Sequence, residues 1–581
     1  MKLTYSSATK TLFLFVLFNA CNHKSEKNSE VEKLKTLNIR EIAGTMNLHP
    51  LLSSDELSGT ISPLIFNTLT SIDFKTLEQT PLLADSLPRV TKDSSGLYHY
   101  QFTIREGAMW DNGSLITADD IAFSIKLNLL PGSASYGYNG FLESIVAFKV
   151  DTISSRTFTM ISNMNLQTSA YLIGDIIILP RYHYDPNNLL INYTINQLNT
   201  EIEKISKDST LVEFYKEFTS YKYQSDPSFI SGSGAYKVVE INDGRNLKLK
   251  RKENWWGDNY LGKNTEFEAN IDIINYQIIP DETTALSALK SESINLMRGI
   301  SPKEFHEMSN LSVYKDRFNF VTSPITAYYC LGLNLTHPIL KEKNNRKALA
   351  HLLDVDKIIN IVAYGYGERI IGPNSKTDSA NYNFDLEPYP FDIKKAKEIL
   401  KINGWSDQNG DGILDKVIDG MQVPFELDYS YNSGNETRKR IGLIFQEDAR
   451  KVGIKINILS HEWPNYIENF KSKKFEIAFI GKVFAPVPRN HYAIFHSNSI
   501  TEASNYVSYS NSEVDQLVDL INVTTDKNDY SKYHLRFQEI IHDELPYLYL
   551  YAPKERMAIS KKFTNYNLSA MRPGFWAPGF N

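Results

Sequence analysis

The chain has 581 residues, 42% apolar and 12% aromatic, enough for roughly three or four domain-sized units. That apolar content, with a mean hydropathy of -0.33, excludes a disordered chain, which lacks the buried surface to offset ordering entropy. A net charge of -6 offers no basic excess for nucleic-acid phosphates, and two cysteines, Cys21 and Cys330, exclude a disulfide framework or thiolate zinc site.

Lys2 and Lys10 precede the apolar run 12–18, which is followed by Asn19-Ala20-Cys21. The run falls well short of the about twenty residues a membrane-spanning helix needs, so residues 1–20 read as a secretory signal peptide. A cysteine directly after a small residue resembles a bacterial lipoprotein signal, with Cys21 as the acylated first residue. A plain secreted protein is the alternative. Acylation by two or more chains would hold the protein stably on a membrane. Residues 21–36 are polar and aperiodic, a lipidated cysteine and its tether. Cys330 is then the single remaining thiol, read as a buried small hydrophobe.

Beyond the tether, strand and helix signals alternate without an internal repeat, an α/β pattern. Tyr98, Tyr100, Phe102 and Ile104 alternate with polar residues, which predicts a strand. Thr117 and Asp120 form a capping box for a helix whose apolar face is Ala118, Ile121, Ala122, Ile125 and Leu129. Residues 423–480 predict a βαβαβ run. Phe425, Leu427 and Tyr429 alternate, a helical stripe from Ile441 to Val452 closes on Gly453, and Ile454, Ile456 and Ile458 alternate again. Ligand sites in such sheets lie past the carboxyl ends of parallel strands, here the loop from Gly481 onward.

Several separated blocks share one further property. They are Arg105 to Gly113 with Thr117-Ala118-Asp119-Asp120, then Gly232-Ser233-Gly234-Ala235-Tyr236, then Asn254-Trp255-Trp256-Gly257. Leu333-Asn334 with Arg346-Lys347-Ala348-Leu349 and Asp354, then Asp392 to Trp405, then Pro546 to Tyr551 complete the set. In this order they resemble family 5 extracytoplasmic solute-binding proteins, the oligopeptide, dipeptide and nickel receptors of ABC importers. The resemblance implies an α/β, two-lobed periplasmic-binding-protein fold (type II, cluster C-like) with an extra subdomain in lobe one. Lobe one would span 37–280, with the subdomain at about 70–175; lobe two would span 281–548, and 549–581 would return to lobe one.

The same resemblance implies a periplasmic, lipid-anchored monomer of the cell envelope, with no enzymatic activity, no cofactor and no nucleic-acid partner. It would bind a peptide or other small solute between closing lobes and deliver it to the permease and ATPase of an ABC importer. A non-transporting receptor or scaffold of the same fold and a secreted hydrolase are the alternatives. No P-loop, HExxH or GxSxG motif is present.

The candidate ligand contacts are Asn47, Tyr236, Lys252, Asn334, Gly481, Lys482, Arg489 and Tyr549. Peptide-binding members hold the ligand ammonium with an aspartate four residues after the loop glycine. Here Ala485 takes that place, and Lys482 replaces the usual tryptophan. Burying an ammonium without a carboxylate is costly, so Lys482, Arg489 and Lys252 predict a preference for acidic, N-blocked or non-peptide ligands. Asp407, Asn409, Asp411 and Asp415 have the spacing of half an EF-hand loop, but Ile418 stands where the bidentate Glu belongs. The loop therefore reads as a structural turn, with a weak calcium site as the alternative.

Overall fold

The computed structural model describes residues 34–44, 47–53, 55–130, 139–242, 244–502 and 504–581. The expected signal peptide, Cys21 and most of the tether lie outside the described residues.

Leu37 and Ile39 point inward from the strand Thr36–Glu41, which runs through an eight-stranded sheet. It is parallel to Ile273–Ile278 on one side and to Leu296–Met297 on the other. The hairpin Tyr236–Asn242 and Asn246–Arg251 extends one flank, and Tyr551–Ser560 with Phe318–Pro324 extends the other, all antiparallel. A separate four-stranded antiparallel sheet contains the predicted strand Tyr98–Thr103, between Arg89–Lys92 and Thr157–Ser162.

The blocks that carry the family resemblance prove to be mutual supports. Asp120 accepts hydrogen bonds from the Trp110 indole at 3.3 Å, from the Thr117 N–H at 3.0 Å and from the Arg181 N–H at 3.2 Å. One carboxylate thereby joins the aromatic turn to the helix Ala118–Asn128. The indoles of Trp255 and Trp256 each donate to the Ser233 carbonyl at 2.8 Å, so the aromatic turn clamps the glycine-rich strand. The helix Ala118–Asn128 differs from its expected single stripe. Phe123, Ser124 and Leu127 are also buried, while Ala122 is only half-buried, because the helices Arg181–Tyr184 and Ile195–Thr200 cover it from other sides.

The second sheet has five strands in the order Lys455–His461, Glu426–Asn432, Ile477–Val483, Ala327–Leu333, Tyr547–Tyr549. The first three are parallel, as crossover helices require, and Ala327–Leu333 runs antiparallel to both its neighbours, Ile477–Val483 and Tyr547–Tyr549. Ile441, Phe445 and Ala449 of the helix Glu436–Arg450 bury into the core of this sheet, and Gly453 takes a left-handed φ of 82° beyond it.

The chain passes from the large sheet to the second between Pro324 and Ala327 and returns between Tyr549 and Tyr551. A lobe boundary at 281 is therefore too early. Leu296–Met297 and Phe318–Pro324 pair within the large sheet, and strand patterning alone does not say which sheet a strand joins.

Candidate functional site

A cavity of about 1210 Å³ lies between the two lobes. It exceeds the roughly 300–1,000 Å³ of ordinary small-molecule sites and so has room for an extended ligand. Lobe one contributes the helix Glu56–Ile65 through Gly59, Pro63 and Leu64, segments around residues 164–177, and the stretch 571–577. Lobe two contributes Val483 to Val487 and Asn490, the loop that leaves the strand Ile477–Val483 at its carboxyl end.

That loop is tied to the crossing between lobes. The Phe484 N–H donates to the Thr326 carbonyl at 3.0 Å, and the Thr326 hydroxyl donates back to the Phe484 carbonyl at 2.6 Å. Elsewhere the lobes meet directly, where the Gln167 N–H donates to the Asn522 carbonyl at 3.0 Å.

Most of the wall is apolar, including Phe66, Phe74, Leu82, Leu166, Val487 and Trp576. Its charged members are Asp175, Glu266 and Arg572. The Arg572 Nη1 donates to Glu56 at 2.8 Å; Glu56 also accepts from Arg298, and Arg298 holds the buried Glu41 by two further bonds. The arginine on the cavity wall thus rests on a chain of charges that reaches the central strand of the large sheet.

The candidate contacts lie elsewhere. Tyr236 is fully buried, its hydroxyl donating to the Ile271 carbonyl at 2.7 Å. Lys252 pairs with Asp111 and the Gly232 carbonyl, both at 2.7 Å, in a separate groove. Burial lowers its pKa, and Asp111 opposes the shift. Asn334 donates to the carbonyls of Lys473 and Phe475, a strand-end brace. Asn47 accepts from the His49 N–H, ahead of the wall residues Pro50 and Ser53. Tyr549 faces a small pocket within lobe two, beside Arg369 and His542.

The loop itself divides by strand alternation. Lys482 lies opposite Tyr328 in the ladder, so it projects away from the face on which Val483 lines the cavity. Burial lowers the Lys482 pKa, and the neighbouring Arg489 lowers it further. The Arg489 guanidinium stacks 3.5 Å from the Phe484 ring centre and bonds the Pro373 carbonyl. Gly481 sits at the loop's base against Tyr329. None of the eight candidates is on the cavity wall, and the cationic face expected from Lys482 and Arg489 is turned away from it. Ala485, which the resemblance puts at the place of the ammonium anchor, does line the cavity and brings no carboxyl to it.

The Asp407 loop spends its oxygens on its own backbone. Asp407 accepts from the N–H groups of Gly410 and Gly412, Asn409 from Asp411, and Asp411 from Ile413, while Asp415 lies in the strand Asp415–Ile418. Among the described residues, no group of three or more His, Cys, Asp or Glu could hold a metal ion. It is built as a turn.

Residues 78–502 match the bacterial extracellular solute-binding proteins, family 5. The chain belongs to this family. It is similar to oligopeptide-binding protein AppA of Bacillus subtilis, 27% identical over 575 residues, which covers 97% of this chain and 95% of the relative. The structure of AppA in complex with a nonapeptide aligns with a TM-score of 0.66 at 25% identity, covering 94% and 99% of the two chains. NikA from Brucella suis, in complex with Fe(III)-EDTA, shares the fold with a TM-score of 0.74 at 19% identity over 94% and 99%. The two-lobed α/β architecture is thus that of family 5. Among the described residues, no helix is long and apolar enough to cross a membrane.

Glu266, Asp175 and Arg572, the charged residues of this family 5 cavity, were not legible in the sequence. Glu266 sits in a polar turn that reads as solvated, whereas Asp175 and Arg572 interrupt largely apolar stretches, at 171–180 and 570–577, and no motif or spacing marks any of the three.

Proposed function

We propose that this family 5 protein captures a short peptide, or a solute of similar size, between its lobes and delivers it to an ABC permease. The observation that carries this reading is the cavity walled by both lobes, with the lobe-two loop bonded to the crossing strand. AppA, solved with a nonapeptide, supports a peptide as ligand. Contacts made to both lobes at once bind the closed form better than the open one, and that difference drives closure.

Small-angle scattering of the whole protein, with and without a chymotryptic casein digest, tests this. The radius of gyration, about 25 Å for a compact chain of this length, is expected to fall on addition of the digest. An unchanged radius, with bound peptide verified by mass spectrometry, rejects a closing receptor.

The acylated Cys21 is proposed to hold a monomeric body on the membrane, since a signal-type apolar run and a small residue precede it. A Cys21→Ser variant is expected in the soluble fraction. Persistent membrane fractionation of that variant places the anchor elsewhere.

A further inference from the structure

The cavity contains an acidic group that nothing in the fold uses. Glu266 belongs to the short helical turn Thr265–Phe267 and contributes to the cavity wall, yet it is only 8% exposed. Its Oε2 makes no well-formed hydrogen bond; the Ser71 hydroxyl, likewise without one, lies near enough to favour the charged carboxylate but does not offset its burial. Burying a carboxyl in this way is costly, and a fold that gained nothing from it would place an apolar side chain there.

The neighbouring acid Asp73 is different, because its oxygens are occupied. They accept from the N–H and hydroxyl of Thr265 and from the N–H groups of Lys75 and Thr76, at 2.8–2.9 Å. Although burial opposes its charge, these donors hold Asp73 below its ordinary pKa. Asp175, after the helix Ser169–Gly174, is the second acid on the cavity wall. The charges that act on Glu266 are those of Asp175 and Asp73, both negative. The cations that the loop sequence promised, Lys482 and Arg489, are directed elsewhere, and Arg572 is engaged by Glu56.

We propose that Glu266, with Asp175 on the same wall, is the subsite for a cationic nitrogen of the ligand, supplied from lobe one where Ala485 leaves the lobe-two loop without a carboxyl. This rests on the receptor reading above and reverses the ligand charge expected from the loop sequence. Apart from Arg572, which Glu56 engages, the remaining wall is apolar or neutral and suits an uncharged body behind that nitrogen.

Binding is then coupled to a proton. Burial, reinforced by Asp175 and Asp73, pushes the Glu266 carboxyl up to about 8, so the empty site at neutral pH is mostly protonated. An arriving ammonium keeps its own charge and displaces the Glu266 proton to solvent. Affinity for a free α-amine therefore rises with pH to a maximum near 8 and falls above it, as the ligand's own ammonium, of pKa about 7.7–8.0, gives up its proton.

The test uses the whole protein, immobilised, and one chymotryptic casein digest offered as an equimolar mixture of free and amine-acetylated forms. Retained peptides are counted by mass spectrometry for wild type and Glu266→Gln. Wild type is expected to retain free-amine peptides about tenfold over their acetylated twins, with the preference growing from pH 6 to pH 8. Glu266→Gln should lose both the preference and its pH dependence, retaining the free and acetylated twins alike.

Equal retention of the twins by wild type, or preference for the acetylated ones, overturns the subsite and leaves the receptor reading standing. A preference that survives in Glu266→Gln overturns the assignment to this residue. If Glu266→Gln does not fold, the wild-type contrast and its pH dependence decide alone. Retention of neither digest form by folded wild type overturns the peptide-receptor reading, and the subsite with it.

Discussion

Replacing Arg298 with alanine is expected to destabilise the protein by about 3–5 kcal/mol, the cost of leaving a buried charge without its partner. Glu41 is 2% exposed on the central strand of the large sheet, and the Arg298 Nε and Nη2 donate to its two oxygens at 3.2 and 2.8 Å. The Arg298 Nη1 donates to Glu56 at 2.8 Å. Burial disfavours the guanidinium charge, but Glu41 and then Glu56 outweigh it and hold Arg298 above its ordinary pKa. Removing it strands Glu41 and frees Glu56, on which the cavity residue Arg572 rests. Urea unfolding measures the loss. Arg298→Lys should fall between, since one ammonium cannot reproduce the planar fork. An alanine variant within about 0.5 kcal/mol of wild type would show that the pair contributes little.

Gly234→Ala is expected to be the next most damaging change, at about 1–3 kcal/mol or more. A Cβ at Gly234 would lie 2.5 Å from the Leu64 carbonyl oxygen and 2.7 Å from the Ile65 carbonyl carbon. Both are backbone atoms at the end of the helix Glu56–Ile65, and the Gly234 N–H donates to Ile65 at 2.8 Å. The helix end must shift, and Leu64 and Phe66 line the cavity, so peptide affinity should fall with stability. Gly59→Ala is the control. Its Cβ meets nothing within 4 Å inside the same helix, and alanine there should add about 0.5–1 kcal/mol. A denaturation midpoint for Gly234→Ala equal to that of wild type would mean the helix end yields freely.

Elements with a local period were legible in the sequence. Phe425, Leu427 and Tyr429 alternate and are all buried, and Gly453 ends its helix, because these choices depend on neighbours within one turn or one pleat. The family was legible for a related reason. Trp110 bonds Asp120, and the indoles of Trp255 and Trp256 bond the Ser233 carbonyl, so residues that carry the resemblance are ones this local structure uses.

What a side chain faces across the molecule was settled only in three dimensions. Leu296–Met297 pairs with strands near both ends of the chain, at Ile39–Arg40 and Ala558–Ile559, a choice that no local pattern records. Lys482 and Val483 are adjacent in sequence, yet strand alternation sends one into lobe two and the other to the cavity. Glu266 looks like a solvated acid in a polar turn. Its burial, its orphaned oxygen and the two acids acting on it come from segments nearly a hundred and nearly two hundred residues away. Periodicity is short-ranged and can be read along the chain; burial and charge are sums over whatever the fold brings near, and only the tertiary structure carries out that sum.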